Sequence, residues 1–396
     1  MNIHINLRPA LAGSLVSTLV LLAACGGGSG SSETALSQVS SSGTAASTAF
    51  AQPMALTADT RMKWNPGHYV QLGAGASDDL VQRTFKEIST LPNVRGVQTR
   101  HVWRDLETDK GVYDFSEIDK DLAKAQAVGK RLFIMVGTKT FKAGSRALPD
   151  YMHTDEYGGG AYRIFIDGKD TTGTEATTGE NIALYNANVR DRFIALTTAL
   201  GQRYNGNNAF EGIIFNETAL GQSVVPLTST QKADFFTNFA AVDAATRQAF
   251  PNTVVLQFIN FPRAYMPGLV NSAINNSVGV GGPDTFLNDS ELEASAYPHY
   301  DTAWGKVPLG PSVQAENYVT TYQYGPYAPP AVTDLYAFAK NRLHANYLFW
   351  SKTLTEPLMP YSNVLAMWKS ASFPKDAAGG LSTTCPSTFT SCVPKL

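Results

Sequence analysis

From Met62 onward, short apolar runs rich in β-branched residues alternate with longer stretches in which apolar positions recur every three to four residues. The first pattern builds buried strands and the second builds helices with one apolar face, so their alternation predicts parallel strands joined by crossover helices. Eight strands are expected, at His68–Leu72, Val94–His101, Arg131–Gly137, Gly212–Asn216, Thr253–Asn260, Ser277–Gly281, Ser312–Glu316 and Asn346–Trp350. Helices are expected at Ser77–Thr90, Ser116–Val128, Ala187–Tyr204, Ser229–Ala249, Pro330–Leu343 and Ser362–Ala371. Eight such repeats favour a closed (β/α)8 TIM barrel, an α/β fold, over an open doubly wound sheet of about five or six strands. Barrels of this kind carry their chemistry on the loops that follow the strands. Phe141–Asn181 and Asp284–Pro308 are too long for tight turns and are expected to form cleft walls on that face.

The start of the chain has a different pattern. One basic side chain, Arg8, precedes an uncharged, mostly apolar stretch from Ala10 to Ala24. That stretch falls short of the ~20 residues a bilayer-spanning helix needs and suits the core of a signal peptide. It ends in Leu22-Ala23-Ala24-Cys25, which resembles the lipobox of bacterial lipoproteins. The resemblance implies that residues 1–24 are a lipoprotein signal peptide and that Cys25 becomes the lipidated first residue. With Gly26 next, it also implies an outer-membrane lipoprotein, periplasmic or surface-exposed, with secretion as the alternative. Residues 25–58 are rich in Gly, Ser, Thr and Ala with Glu33 as their one charge. So little bulk predicts a flexible tether, about 30 Å in root-mean-square span. Residues 59–396 remain for the single barrel domain with a polar tail, where Cys385 and Cys392 are expected to form a disulfide stabilising by about 2 kcal/mol.

Charge and motifs narrow the chemistry. The chain carries 33 acidic against 31 basic side chains, a formal −2, and no long Lys/Arg run. Nucleic acid is therefore not an expected partner, and membrane contact is expected through the lipid anchor only. Leu72-Gly73-Ala74-Gly75-Ala76-Ser77-Asp78 begins like a dinucleotide loop, but Asp78 stands at the third glycine position and would repel a pyrophosphate. No phosphate-binding loop, zinc-protease or nucleophile-elbow motif is present, and His68, His101, His153, His299 and His344 fall at no ligand spacing. No metal or other cofactor is expected, and the protein is expected to be a monomer.

The run Glu211-Gly-Ile-Ile-Phe215 delivers Asn216-Glu217 at the end of the fourth expected strand, and Glu316 ends the seventh. These two strands face each other across a barrel mouth, where paired carboxyl groups can flank a glycosidic bond. A separation of about 5–5.5 Å supports retention and about 6.5–9.5 Å supports inversion. In this arrangement the sequence resembles the retaining glycoside hydrolases of clan A. The resemblance implies Glu217 as acid/base, Glu316 as nucleophile and Asn216 as a hydrogen-bond partner of the sugar 2-OH. It places Arg100 or His101 at the clan's basic position, Tyr297 or His299 at its Tyr and His, and Trp350 at its sugar-stacking Trp. Trp103 opens Trp103-Arg104-Asp105-Leu106-Glu107, followed by Gly111-Val112-Tyr113-Asp114-Phe115, which is similar to a W-x-x-L-E…G-x-Y-D-F stretch of several clan families. Burial and the Glu316 charge are expected to keep Glu217 protonated, while Arg100 and a tyrosine hydroxyl keep Glu316 ionised.

The resemblance thus implies a glycosidase that cleaves a β-linked poly- or oligosaccharide by double displacement. Two rival readings stand beside it. One is a non-catalytic glycan-binding lipoprotein on the same barrel; the other is a carbohydrate-active barrel in which Asp284 or Glu293 takes the place of Glu316.

Overall fold

Residues 61–166, 177–352 and 361–396 are described by the computed structural model of the chain. The expected signal peptide, Cys25 and the tether lie outside these residues. Eight parallel strands close a barrel: β1 Gly67–Leu72, β2 Val94–Val102, β3 Arg131–Gly137, β4 Phe210–Phe215, β5 Val254–Phe258, β6 Gly279–Gly282, β7 Leu309–Val313 and β8 Tyr347–Lys352. Each strand pairs in parallel with the next, and β8 returns to β1. The fold is therefore the expected (β/α)8 barrel. Its main helices are α1 Asp78–Ile88, α2 Ser116–Ala127, α3 Ala187–Tyr204, α4 Ser229–Ala249, α5 Met266–Asn275, α6 Val332–Asn341 and α7 Tyr361–Lys369. None of the described helices is long and apolar enough to cross a membrane.

Local sequence explains the helix ends. Ser77 Oγ accepts the Leu80 amide at the start of α1, and Thr228 with Gln231 forms a reciprocal capping box at the start of α4. Such caps satisfy amides that the first helical turn leaves free. Inside the barrel, Tyr69, Phe133, Tyr347 and Phe349 pack ring against ring with centroids 4.9–5.9 Å apart. Gly212 on β4 makes this possible, because a Cβ there would stand 2.1 Å from the Phe133 ring. The barrel is a filled core, and only its two rims remain for polar chemistry.

Two expected elements shift. β7 runs Leu309–Val313 and ends before Glu316, because Gln314 N donates to Asn317 Oδ1 at 2.7 Å and turns the chain. Glu316 therefore stands exposed on the 3-10 turn Glu316–Tyr318 instead of closing a strand. Helix α5 was not expected from Phe261–Ser290, whose apolar positions are interrupted by Pro267 and Gly268; the proline sits in the first turn, where it lacks no needed donor. The long insertion after β3 contains a three-stranded antiparallel sheet of Lys139–Thr140, Ala161–Phe165 and Thr178–Ile182.

The tail is not a loose appendage. Arg61–Lys63 pairs in parallel with Ser391–Val393 beneath the barrel floor, and a disulfide joins Cys385 to Cys392. Beside this floor, Glu211 at the start of β4 accepts Asn65 N at 2.7 Å, Asn65 Nδ2 at 2.9 Å, the Tyr347 hydroxyl at 2.9 Å and Arg131 Nη1 at 3.3 Å. Lys63 reaches the same region, donating to the Phe210 carbonyl at 2.7 Å.

One buried carboxyl group in the helical layer has no such support. Asp243 in α4 is buried, its Oδ1 has no hydrogen-bond partner, and loss of hydration pushes its carboxyl well above the usual carboxylate range. A carboxyl raised in the folded state binds a proton that the unfolded chain releases, so its contribution falls as pH rises above the unfolded value. Asp243→Asn is accordingly expected to raise stability at pH 8 by about 1–3 kcal/mol. The gain should shrink toward pH 4, and a pH series of urea midpoints that shows no such convergence would refute this account.

Candidate active site

Glu217 lies two residues beyond the end of β4, where the completed ladder releases the chain at the C-terminal rim. The fold holds it from three directions. Lys139, two residues beyond β3, brings its Nζ to 3.4 Å from Glu217 Oε1 and also donates to the Ala219 carbonyl. Asn260, two residues beyond β5, donates from Nδ2 to Glu217 Oε2 at 2.9 Å. Thr218 locks the same corner, because its amide donates to the Phe258 carbonyl at 3.1 Å and its hydroxyl accepts the Asn260 amide at 3.1 Å. Arg100, near the end of β2, adds a second positive charge that feels Glu217.

A second carboxyl group shares this corner. Asp284 follows β6 at the edge of the same cavity and feels the Glu217 charge. Burial first, and the Glu217 charge second, push the Asp284 carboxyl up to about 7. Its Oδ2 is shielded from solvent and has no hydrogen-bond partner in the described residues. Arg100 Nε and Asn317 Nδ2, both in side chains lining the cavity, are likewise shielded and unpartnered. Native interiors leave few such groups unpaired, so three beside one cavity single out this corner of the barrel mouth. The cavity measures about 600 Å³, within the usual range of about 300–1,000 Å³ for small-molecule sites.

The expected site residues divide sharply. Arg100, Asn216, Glu217 and Glu316 all line this cavity. Arg100, however, sets its charge against Glu217 instead of Glu316. The Glu316 carboxylate has no ion pair or hydrogen bond among the described residues.

His101 points elsewhere. Its Nε2 lies 2.9 Å from Thr99 Oγ1 and 3.4 Å from Asp121, in a side hollow of about 180 Å³ behind Arg100. Trp103 and Trp350, expected to touch sugar, expose no surface at all. Trp103 stacks on Phe193 with centroids 4.9 Å apart and donates to Glu107 Oε2 at 2.8 Å, while Trp350 donates to His68 Nδ1 at 3.0 Å. Both are core residues, and the W-x-x-L-E stretch is a structural clasp: Glu107 also accepts the Gly111 amide at 2.8 Å and the Tyr151 hydroxyl at 3.0 Å. Tyr297 is also buried, its hydroxyl donating to the Phe286 carbonyl at 3.0 Å and accepting the Phe286 amide at 2.9 Å. It braces the segment behind Asp284 without lining the cavity. His299 is half-buried on the helix Pro298–Ala303 and lines no part of the cavity.

Glu293, the other rival carboxylate, is tied to Arg342 Nε at 2.9 Å and is removed from this chemistry. Among the described residues, no group of three or more His, Cys, Asp or Glu side chains is placed to hold a metal ion.

No protein-family model matches the sequence, and no characterised protein sequence matches it either. Solved structures do share its architecture. The catalytic domain of a β-amylase from Paenibacillus polymyxa superposes with a TM-score of 0.50 at 10% identity, covering 73% of this chain and 92% of that one. A β-galactosidase from the psychrophilic Marinomonas ef1 gives 0.50 at 11% identity over 72% of this chain, and one from Bacillus circulans sp. alkalophilus gives 0.51 at 11% over 75%. This chain spans about half of each β-galactosidase, 53% and 52%. At these identities the likeness is one of fold: a closed parallel barrel of the kind on which glycoside hydrolases are built.

Proposed function

We propose that this barrel hydrolyses a glycosidic bond, with Glu217 and Asp284 as its reacting carboxyl groups. The observation that carries the reading is their shared corner, where Glu217 accepts from Asn260 and faces Lys139 while Asp284, at the edge of the same cavity, is dehydrated. Lys139, Arg100 and the Asn260 amide offer Glu217 the partners a carboxylate anion takes. Asp284, dehydrated and with one oxygen unpartnered, is suited to carry a proton. Glycosidases need one carboxyl of each kind. Asp284 therefore donates a proton to the leaving oxygen, and Glu217 attacks the anomeric carbon, which corresponds to double displacement with retention. Arg100, Asn216 and Asn317 line the same cavity and supply its further polar wall.

A second reading, Glu217 as acid/base and Glu316 as nucleophile, is favoured by one observation. Glu316 follows β7 and lines the same cavity. Release of reducing ends from a panel of β-linked glycans by wild type, Asp284→Asn and Glu316→Gln separates the two. The first reading expects a loss of about 10²–10⁴-fold in Asp284→Asn and a small change in Glu316→Gln. It also expects kcat/KM of the wild type to fall as pH rises through about 7, where Asp284 loses its proton, and that limb to vanish in Asp284→Asn. Wild-type activity in Asp284→Asn with severe loss in Glu316→Gln would reverse the assignment. Sugar azide formed when azide restores Glu217→Ala, and not Glu316→Ala, identifies the nucleophile.

The lipobox-like segment supports a further part of the reading, that the enzyme is anchored through Cys25 on a tether in the bacterial envelope. Radiolabelled palmitate incorporation that persists in Cys25→Ala would refute it.

A further inference from the structure

Two more hollows adjoin the central cavity, one at the loops after β4 and β5 and the other at the loops after β6 and β7. On one flank a hollow of about 550 Å³ lies against Ala219–Ser223 and shares Ala219 and Phe261 with the centre. On the other a hollow of about 390 Å³ lies against Asn288–Glu291 and shares Gln323 and Tyr324 with it. Each alone falls within the range of about 300–1,000 Å³ that holds a whole small ligand. A single terminal sugar needs only one of them.

Both flanks are built walls. Along the first, the Leu220 carbonyl accepts the Tyr162 hydroxyl at 2.7 Å and Asn181 Nδ2 at 3.1 Å, and Phe165 N donates to the Gln222 carbonyl at 2.9 Å. Thus the sheet inserted after β3 fixes the loop that follows Glu217. Along the second, Asp289 accepts the Gln323 amide at 2.8 Å, and Asn288 N donates to the Thr321 carbonyl at 2.8 Å, which ties the loop after β6 to the loop after β7. Tyr324 stands 95% exposed at the boundary between this hollow and the centre. Aromatic faces of this kind stack on sugar rings.

The charges of the groove constrain the chain that fills it. Asp289 and Glu291 line the second flank, Lys232 lines the first, and the centre holds three carboxyl groups against Lys139 and Arg100. Arg263 pairs with Glu291 at 2.7 Å and Asp284 is suited to carry a proton, so Glu217, Glu316 and Asp289 stand against Lys139, Arg100 and Lys232. The groove has no surplus of cations to hold a polyuronic chain, and a neutral chain needs none.

We propose that this face is a continuous groove that binds a neutral polysaccharide on both sides of Glu217 and Asp284, so that internal linkages are cut. The proposal rests on the glycosidase reading and extends it to the class of substrate and the mode of attack.

Two measurements test it. Wild type is incubated with soluble β-linked glucan, mannan and xylan, and with polygalacturonate, and viscosity and product length are followed together. Early collapse of viscosity with products of mixed length on a neutral polymer is expected. Release of only one- or two-sugar products from the outset, or preference for polygalacturonate, would overturn the proposal while leaving the glycosidase reading intact. Separately, Glu217→Gln is titrated with neutral oligosaccharides from disaccharide to hexasaccharide. Affinity should rise by about tenfold or more with length, and Tyr324→Ala in that background should remove about tenfold for the hexasaccharide and little for the disaccharide. Length-dependent binding with no hydrolysis by wild type would instead overturn the glycosidase reading and keep the groove. Affinity independent of length overturns the groove.

Discussion

Glu217→Gln is expected to lower kcat/KM by about 10²–10⁴-fold or more, while the thermal midpoint moves by only a few degrees. The substitution keeps the shape of the side chain and removes its charge. Lys139 and Arg100 would then lack the anion they face at the rim, yet the Lys139 ammonium keeps its bond to the Ala219 carbonyl. Part of the Asn260 contact also survives, since the amide oxygen of glutamine still accepts from Nδ2. Loss of structure therefore cannot account for a large kinetic effect, which has to come from the missing negative charge in the transition state. Circular dichroism, a melting curve and oligosaccharide titration on the same preparation separate the two. Activity within a few-fold of wild type would remove Glu217 from the chemistry.

The rim illustrates what a sequence discloses. Strand order and barrel closure were legible because each strand is a buried apolar run between helices, and Glu217 was legible as a carboxylate ending such a run. Asp284 was legible only as an alternative. It follows Gly281-Gly282-Pro283, which has no strand-like period, and what distinguishes it is dehydration beside Glu217, a property of the folded neighbourhood. Lys139 and Asn260 gave no signal, since each is an ordinary polar residue until the barrel brings three strand ends together.

The tryptophans failed for a related reason. Parallel strands are buried on both faces, so their apolar runs do not alternate and do not reveal which side chains point to the mouth. Trp350 proved to face His68 and the helical layer. Glu316 was misplaced by a turn three residues wide, which a hydrogen bond from the Gln314 amide to the Asn317 side chain decides.

At the opposite rim, Glu211→Ala is expected to destabilise the fold by about 3–5 kcal/mol. Against a total stability of about 5–15 kcal/mol, a loss of that size leaves many domains largely unfolded at physiological temperature. Glu211 is fully buried and carries the negative charge between Arg131 and Lys63. Dehydration already lowers the Lys63 ammonium to about 7, and the Glu211 charge is what opposes that shift. Removing the carboxylate leaves Asn65 N and the Tyr347 hydroxyl without their acceptor and two cations without their counter-charge. The folded value of Lys63 should then fall further, so the loss of stability should be greater below pH 7, where folded wild type holds the Lys63 proton and the folded variant gives it up. Replacing the pair together, Lys63→Met with Glu211→Leu, should recover a substantial part of the loss, because no buried lysine then remains unpaired. Urea midpoints of the single and double variants across pH test both statements, and a single variant as stable as wild type would show that the floor is held by packing alone. The floor also joins the two ends of the domain, since Asn65 Nδ2 reaches the Pro394 carbonyl at 3.2 Å and Arg131 Nη2 reaches it at 2.8 Å. Its failure should free the disulfide-bearing tail first, which protease cleavage after Lys375 or Lys395 in the Glu211→Ala variant would register before global unfolding.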